Sequence, residues 1–361
     1  MKIVLLFIVS FLFSFIFTPL IRQICLKCGL LDMPSRRKVH QRALPRLGGI
    51  AIILSFVITI LLFLFLDQNF KNIFYSRLIG LLLGISVISI FGILDDIYGI
   101  KPLVKLAGQI FASLVLFSFG FRVGLLTNPF NGQEMTLPFF ISLVLTVSWI
   151  IGMINAINLI DGIDGLASGV VFISGFCLIL VGLYLKTPLT VIILTILCGS
   201  SLGFLYYNFP PAKIFLGDTG SMFLGFILAA SGLIGFQYKV ATVVALIIPI
   251  CALAIPIYDT VLAIWRRILK KGSIFIADKK HLHHRLLDFG FTQREVAIGF
   301  YLATVYFGII AFLFVLIPNQ YALLLLLLLG IGIFFGIRTV GFIERKLNKI
   351  HLLELRLKRN T

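Results

Sequence analysis

The sequence predicts an all-α protein that crosses a membrane many times, and three observations predict it. Hydrophobic residues make up 60% of the 361-residue chain, with a mean hydropathy of +1.11. Apolar runs of about 18 or more residues recur from end to end, each long enough to cross a hydrocarbon core of about 30 Å as a helix. Asp and Glu together number only 14, and Asp95-Asp96, Asp161/Asp164 and Asp218 each lie at the end of such a run. A charged side chain at a bilayer centre costs about 2.5–3.5 kcal/mol on insertion scales, so acids gathered at span ends point to a site at a membrane surface. The runs are continuous rather than alternating, which argues against a β-barrel. No polar stretch is long enough to build a separate soluble core.

The elements follow in order as about eleven spans, with ten as the alternative count. The first, 2–21, starts at Met1-Lys2 and has no small-residue cleavage site after it, so it reads as a retained span. Next come 47–66, entered through Gly48-Gly49, and 77–94, which stops at Asp95-Asp96. Spans 103–120 and 138–156 follow, the latter running into Asn155. Span 164–185 begins where the Asp-Gly steps break the chain. Spans 188–207 and 215–235 are separated by a short polar link, and Gly217-Asp218 opens the second of them. The last three are 240–264, 295–317 and 320–342. Residues 1–342 therefore form one transmembrane domain, with no internal repeat. Residues 343–361 read as a basic amphipathic tail in which Leu347, Ile350, Leu352, Leu353 and Leu355 interleave with Lys and Arg, suited to anionic membrane lipids.

Connections alternate between two sides. One side carries 22–46, 95–102, 157–163, 208–214, 265–294 and the tail. Of the 31 Lys and Arg, all but Lys2, Lys71, Arg77, Arg122, Lys186 and Lys239 fall on or near that side. The positive-inside rule makes it cytoplasmic, with the N-terminus outside. The same rule accounts for most of the net charge of +17, so nucleic acid is not an expected partner. Of the five cysteines, Cys177, Cys198 and Cys251 sit in apolar runs, and Cys25/Cys28 form a lone C-x-x-C without the second ligand pair that zinc needs.

Every polar motif falls on the cytoplasmic side. The loop after the first span is dense in cations, including Arg36, Arg37, Lys38, His40 and Arg42, a composition suited to phosphate. Asp95-Asp96 is followed by Lys101 and Lys105, which share a helix face at i,i+4. That combination fits a phosphate and metal site, whereas a prenyl-synthase D-D-x-x-D fails because position 99 is Gly. Asn155, Asn158 and Asp161 repeat every three residues, a polar stripe on an apolar helix, and Asp161-Gly162 and Asp164-Gly165 then turn the chain. The distal Glu of a calcium loop is missing. Gly217-Asp218-Thr219-Gly220-Ser221 is a glycine-rich entry to a helix N-terminus, an anion-binding shape. Finally, His281, His283, His284 and Arg285 lie in a cationic segment. Zinc is the competing reading there, but i, i+2 and i+3 do not share a helical face, and phosphate contact fits better.

On these five motifs, in this order from Asp32 to about Arg285, the chain resembles the polyprenyl-phosphate N-acetylhexosamine-1-phosphate transferase superfamily (glycosyltransferase 4). Its closest likeness is to the undecaprenyl-phosphate GlcNAc-1-phosphate branch. The muramoyl-pentapeptide branch carries three consecutive histidines, which this chain lacks. The resemblance implies an enzyme of the bacterial cytoplasmic membrane that moves GlcNAc-1-phosphate from UDP-GlcNAc to undecaprenyl phosphate, releasing UMP. It implies Asn158 and Asp218 as ligands of Mg²⁺, with Mn²⁺ able to substitute. Asp164 would meet the uracil ring, Lys105 phosphate, and Asp95 and Asp96 the arriving lipid phosphate. Asp161 joins Asp95, Asp96 and Lys105 among the catalytic candidates. Asn155, Lys38, His40, His281, His283, His284 and Arg285 are candidate substrate contacts. A homodimer is allowed by the sequence but not specified by it. A phosphate monoester has a second pKa of about 6, so the acceptor is mostly dianionic at neutral pH and direct attack is expected. Double displacement through an Asp nucleophile is the rival. A secondary transporter would instead place its acids near the midplane of symmetric halves. A CDP-alcohol phosphotransferase would need a D-G-x-x-A-R pattern, and Leu166-Ala167-Ser168 follow the second Asp-Gly instead.

Overall fold

A computed structural model describes residues 1–33, 43–127, 134–235 and 286–317, together with 324, 325, 327–334 and 338. Its helices are α1 (Lys2–Cys28), α2 (Gly49–Leu66), α3 (Gln68–Tyr98), α4 (Pro102–Ser118), α5 (Phe139–Ile160), α6 (Leu166–Tyr184), α7 (Pro188–Asn208), α8 (Gly217–Gly235) and α9 (Gln293–Leu316). Eight of these are long and apolar enough to cross a membrane, and α4 is a shorter apolar helix. The chain is a multi-pass membrane protein. The predicted span 240–264, most of 320–342 and the tail 343–361 lie outside the described residues.

The all-α expectation needs two refinements. Short antiparallel pairs join β1 (Leu31–Asp32) to β2 (Leu44–Pro45) and β3 (Leu125–Thr127) to β4 (Glu134–Thr136). Two- and three-residue strands have no hydrophobic alternation to reveal them; they are closed by what flanks them. The first pair is reinforced by an ion pair between Arg46 Nε and Asp32 Oδ1 at 3.0 Å. The second refinement concerns 67–76, expected as a loop. It is the first part of α3, which is separated from α2 by Asp67 alone. Asp67 makes that abrupt start viable: its carboxylate accepts the Phe70 N–H at 3.1 Å as an N-cap, and Lys2 Nζ lies 2.8 Å away.

Helix stops are local in origin. Gly99 ends α3 in the left-handed region (φ 65), where its N–H returns to Asp95 O. Pro102 then occupies the first turn of α4, where no N–H is needed. A capping box between Thr292 and Glu295 starts α9.

α8 is the centre of the bundle, with 89% of its apolar window buried against 22% for α1. It packs on α5, α3, α7 and α2. Phe56 of α2 and Phe223 of α8 meet edge to face at 5.4 Å. α1 lies against α7 through small residues: a Cβ added at Gly199 would collide with Ser10 and the Phe7 carbonyl, and one at Gly203 with the Phe11 carbonyl. In lipid, where apolar burial gives helices no reason to associate, such close backbone approach supplies the packing.

Among the described residues, the parts of 22–46 and 208–214 expected on one side do meet at one end. Phe215 N–H donates to Pro45 O at 2.8 Å, Gly49 N–H to Leu216 O at 2.8 Å, and Arg22 Nε to Lys213 O at 3.1 Å. The opposite end carries the Lys2–Asp67 pair and the Val123 N–H to Thr146 Oγ1 bond.

Candidate active site

At the first end the termini of α2, α3, α4, α5 and α8 converge, and glycines let them. A Cβ at Gly49 would strike the Gly220 backbone, and one at Gly92 would lie 2.6 Å from Thr219 Cα. Gly217 enters α8 with φ 74, and its Cα faces Asp96 so closely that a Cβ would lie 2.5 Å from Oδ2. Only glycine meets both demands at that position.

Two adjacent carboxylates end α3, and they separate in function. Asp96 is buried and turned to the start of α8. It accepts the Asp218 N–H at 2.9 Å, the Thr219 N–H at 2.9 Å and the Thr219 hydroxyl at 2.6 Å. It is thus an N-cap delivered from another helix: it satisfies N–H groups that α8 leaves unbonded and sets a negative charge at the positive end of the helix dipole. Asp95 faces the other way, with Oδ2 2.9 Å from Lys105 Nζ.

Lys105 is the junction. Its ammonium also lies 2.6 Å from Asp218 Oδ1 and 3.4 Å from Asn158 Oδ1. Asn158 Nδ2 donates to Ser221 Oγ at 2.8 Å and to Asp218 Oδ1. Lys105, Asp95, Asn158 and Asp218 therefore form one cluster assembled from α3, α4, α5 and α8. Its acceptors are carboxylate and amide oxygens already grouped around a cation, a donor set suited to a hard ion such as Mg²⁺. Among the described residues no three His, Cys, Asp or Glu side chains converge as a metal cage. The set fits an ion that takes one or two protein oxygens and completes its shell elsewhere.

Asp161 caps the end of α5, where its N–H meets Asn158 O at 3.3 Å. Burial first, and then the charges of Asp218, Asp96 and Asp164, push its carboxyl well above the usual carboxylate range. Asp164 Oδ2 accepts the Ala212 N–H at 2.9 Å, which ties the Asp-Gly loop to the segment entering α8. Asn155 lies one turn back along α5, and its Nδ2 donates to Gln109 Oε1 and Ile151 O, both at 2.8 Å, rather than into the Lys105 cluster. Lys38, His40, His281, His283, His284 and Arg285 lie outside the described residues.

The structure adds groups that the motif pattern passes over. Asn208 is buried at the end of α7; its Oδ1 accepts from Gly165 N–H at 3.0 Å and Ser168 Oγ at 3.1 Å, and its Nδ2 donates to Ile214 O at 3.0 Å. A lone amide closing an apolar run was the available signal. Ser221 and Thr219 are short hydroxyls inside a motif already marked for its Asp. Gln109 and Tyr301 carry no signal in the sequence, because each is one polar side chain in an apolar helix.

Comparison with known proteins places the stretch that carries these residues in a family. A family model described as glycosyl transferase family 4 matches residues 78–236, the stretch that holds Asp95, Asp96, Lys105, Asn158, Asp161, Asp164 and Asp218. The chain is 40% identical over 310 residues to a probable undecaprenyl-phosphate N-acetylglucosaminyl 1-phosphate transferase of Bacillus subtilis, covering 86% of this chain and 84% of that one. It is 36% identical over 313 residues to a decaprenyl-phosphate N-acetylglucosaminephosphotransferase of Mycobacterium tuberculosis, covering 81% and 76%. It is 30% identical over 367 residues to an undecaprenyl-phosphate alpha-N-acetylglucosaminyl 1-phosphate transferase of Escherichia coli O157:H7, covering 97% and 94%.

Proposed function

The chain belongs to glycosyl transferase family 4, and on that footing we propose that it transfers GlcNAc-1-phosphate from UDP-GlcNAc to undecaprenyl phosphate. The products are undecaprenyl-diphospho-GlcNAc and UMP. The reading is carried by the Lys105 cluster at one end of a membrane-spanning bundle. One substrate is dissolved in the bilayer and the other in water, so the chemistry belongs where helix ends meet the aqueous phase. The cationic bias of the connections at that end makes it the cytoplasmic face of the bacterial inner membrane.

A phosphate oxygen of the lipid attacks the phosphorus bearing the sugar, and the bond from that phosphorus to the UMP oxygen breaks. The attacking group is mostly a dianion at neutral pH, so no general base is required. Lys105 holds a phosphate oxygen and offsets charge as the displacement proceeds. Asp95, bonded to Lys105, sets where that ammonium points on the side the lipid phosphate enters. Asp96 holds the start of α8, and with it Asp218. Asp164 meets the uracil ring from the Asp-Gly loop. Asp218 and Asn158 would hold Mg²⁺, which when bound supplies charge neutralisation and Lewis-acid polarisation of the pyrophosphate. The basic composition of residues 343–361 suits anionic lipid.

Purified protein in lipid nanodiscs with UDP-GlcNAc, undecaprenyl phosphate and Mg²⁺ is expected to release UMP. Release with a different UDP-sugar and none with UDP-GlcNAc would replace the sugar assignment. A phospho-enzyme that accumulates with UMP release in the absence of lipid would replace the one-step mechanism.

A further inference from the structure

α9 lies after the family-matched stretch, yet it touches the Asp-Gly loop directly. Tyr301 donates its hydroxyl to Gly165 O at 2.6 Å. Its ring lies over Gly169 of α6 so closely that a Cβ there would collide with it. Gly165 is in the left-handed region (φ 72), and its N–H is bonded to Asn208. The residue after Asp164 is therefore held at its N–H by α7 and at its carbonyl by α9, which shares that oxygen with the Gly169 N–H and Ser168 hydroxyl of α6.

A second contact comes from the same face of α9. Arg294 is seven residues before Tyr301, two helical turns away. Its guanidinium lies 5.7 Å above the Phe209 ring. Phe209 opens the segment 209–216, in which the Ala212 N–H binds Asp164 Oδ2. α9 thus touches both segments that flank Asp164: Gly165 on its own loop, and Phe209 on the segment that its carboxylate grips.

We propose that Tyr301 is a positioning residue for nucleotide recognition, fixing Asp164 through Gly165, with Arg294 as the secondary brace. This rests on the reading of Asp164 as the uracil contact. Tyr301 touches no substrate. Its effect is on where the Asp164 carboxylate stands before the nucleotide arrives. Such preorganisation is an affinity effect and leaves the phosphoryl step, built around Lys105, in place.

The test is a double-mutant cycle on the full chain in nanodiscs, reading UMP binding by calorimetry, steady-state kinetics and thermal unfolding. Tyr301→Phe keeps the ring over Gly169 and removes only the hydroxyl. The expected result is UMP binding and the UDP-GlcNAc KM each weakened about three- to ten-fold, the range set by one net hydrogen bond. The kcat and the KM for undecaprenyl phosphate stay within about two-fold. Asp164→Ala weakens UMP binding by more, and adding Tyr301→Phe to it gives little further loss, because the group being positioned is gone. Arg294→Gln gives a smaller loss of the same kind. If Asp164→Ala weakens UMP binding while Tyr301→Phe leaves it unchanged, the brace is overturned and the uracil reading stands. If Tyr301→Phe lowers kcat and thermal stability together with UMP affinity unchanged, Tyr301 is only a packing residue and the proposal is overturned. If Asp164→Ala leaves UMP binding intact, or the wild type binds no UMP, the nucleotide reading and the brace fall together.

Discussion

Asp95 and Asp96 are neighbours in sequence with different partners, and substitution should separate them. Asp96→Ala leaves the Asp218 and Thr219 N–H groups buried without their acceptor. The loss is expected to be on the order of 2–4 kcal/mol of stability, seen as a lowered unfolding temperature in detergent, with activity falling alongside. Lys105→Ala should act on the chemistry instead. Removing a preorganised cation from a developing phosphoryl charge is expected to lower kcat/KM by about 10²-fold or more in the UMP-release assay, with UMP affinity much less affected. A Lys105→Ala protein with near-native turnover would remove Lys105 from the mechanism. The chemistry-bearing residue types were legible before the structure, because an Asp or Lys at the end of an apolar run has to be explained. Their division of labour was not. Nothing in Asp95-Asp96 says which carboxylate turns to α8 and which to Lys105; that depends on which helix approaches from which side.

At the scale of elements, the α2–α3 junction and the α1–α7 contact each make a testable claim. Lys2 and the Phe70 N–H hold the Asp67 carboxyl below its ordinary range. A group whose folded pKa is depressed gives stability that is present above its unfolded pKa of about 3.9 and lost as pH falls through the lower folded value. Asp67→Asn keeps an N-cap but removes the charge. The difference in unfolding temperature between wild type and Asp67→Asn should therefore be constant near neutral pH and shrink below about pH 4. At the α1–α7 contact, Gly203→Leu forces a side chain against the Phe11 carbonyl and Ser14 of α1. Overpacking of this kind costs about 1–3 kcal/mol, measurable as a loss of thermal stability. Helix existence was legible from continuous apolar runs, and most predicted ends fall within a few residues of the observed ones. The exceptions have a common cause. Residues 67–76 join α3 because Asp67 caps it, and α1 continues to Cys28, where Gly29 ends it. Caps are single-residue decisions, invisible to a hydropathy window.

For the whole molecule, the claim with most at stake is orientation. Cys28 is exposed at the end of α1 that carries the site. In a chain whose other cysteines are replaced by Ser, a membrane-impermeant maleimide should label Cys28 in inverted membrane vesicles and leave it unlabelled in right-side-out ones. The reverse pattern would place the site on the outer face. The multi-pass class was determined by the sequence alone, and the sequence also carries the expectation of sidedness that the labelling tests. Hydrophobic length and the sorting of 31 Lys and Arg are properties that each segment carries by itself. The cluster belongs to the tertiary structure. Lys105, Asn158 and Asp218 are separated by 53 and 60 residues along the chain and meet because α4, α5 and α8 pack closely, Gly108 of α4 seating on Phe91 of α3 and Gly225 of α8 on the Met153–Ile154 backbone of α5. Likewise, Asn208 and Tyr301 gain their importance from what the fold sets beside Gly165. A sequence states which side chains a site can use. Distances between segments far apart in the chain depend on how every helix packs, so only the folded bundle decides which of those side chains touch.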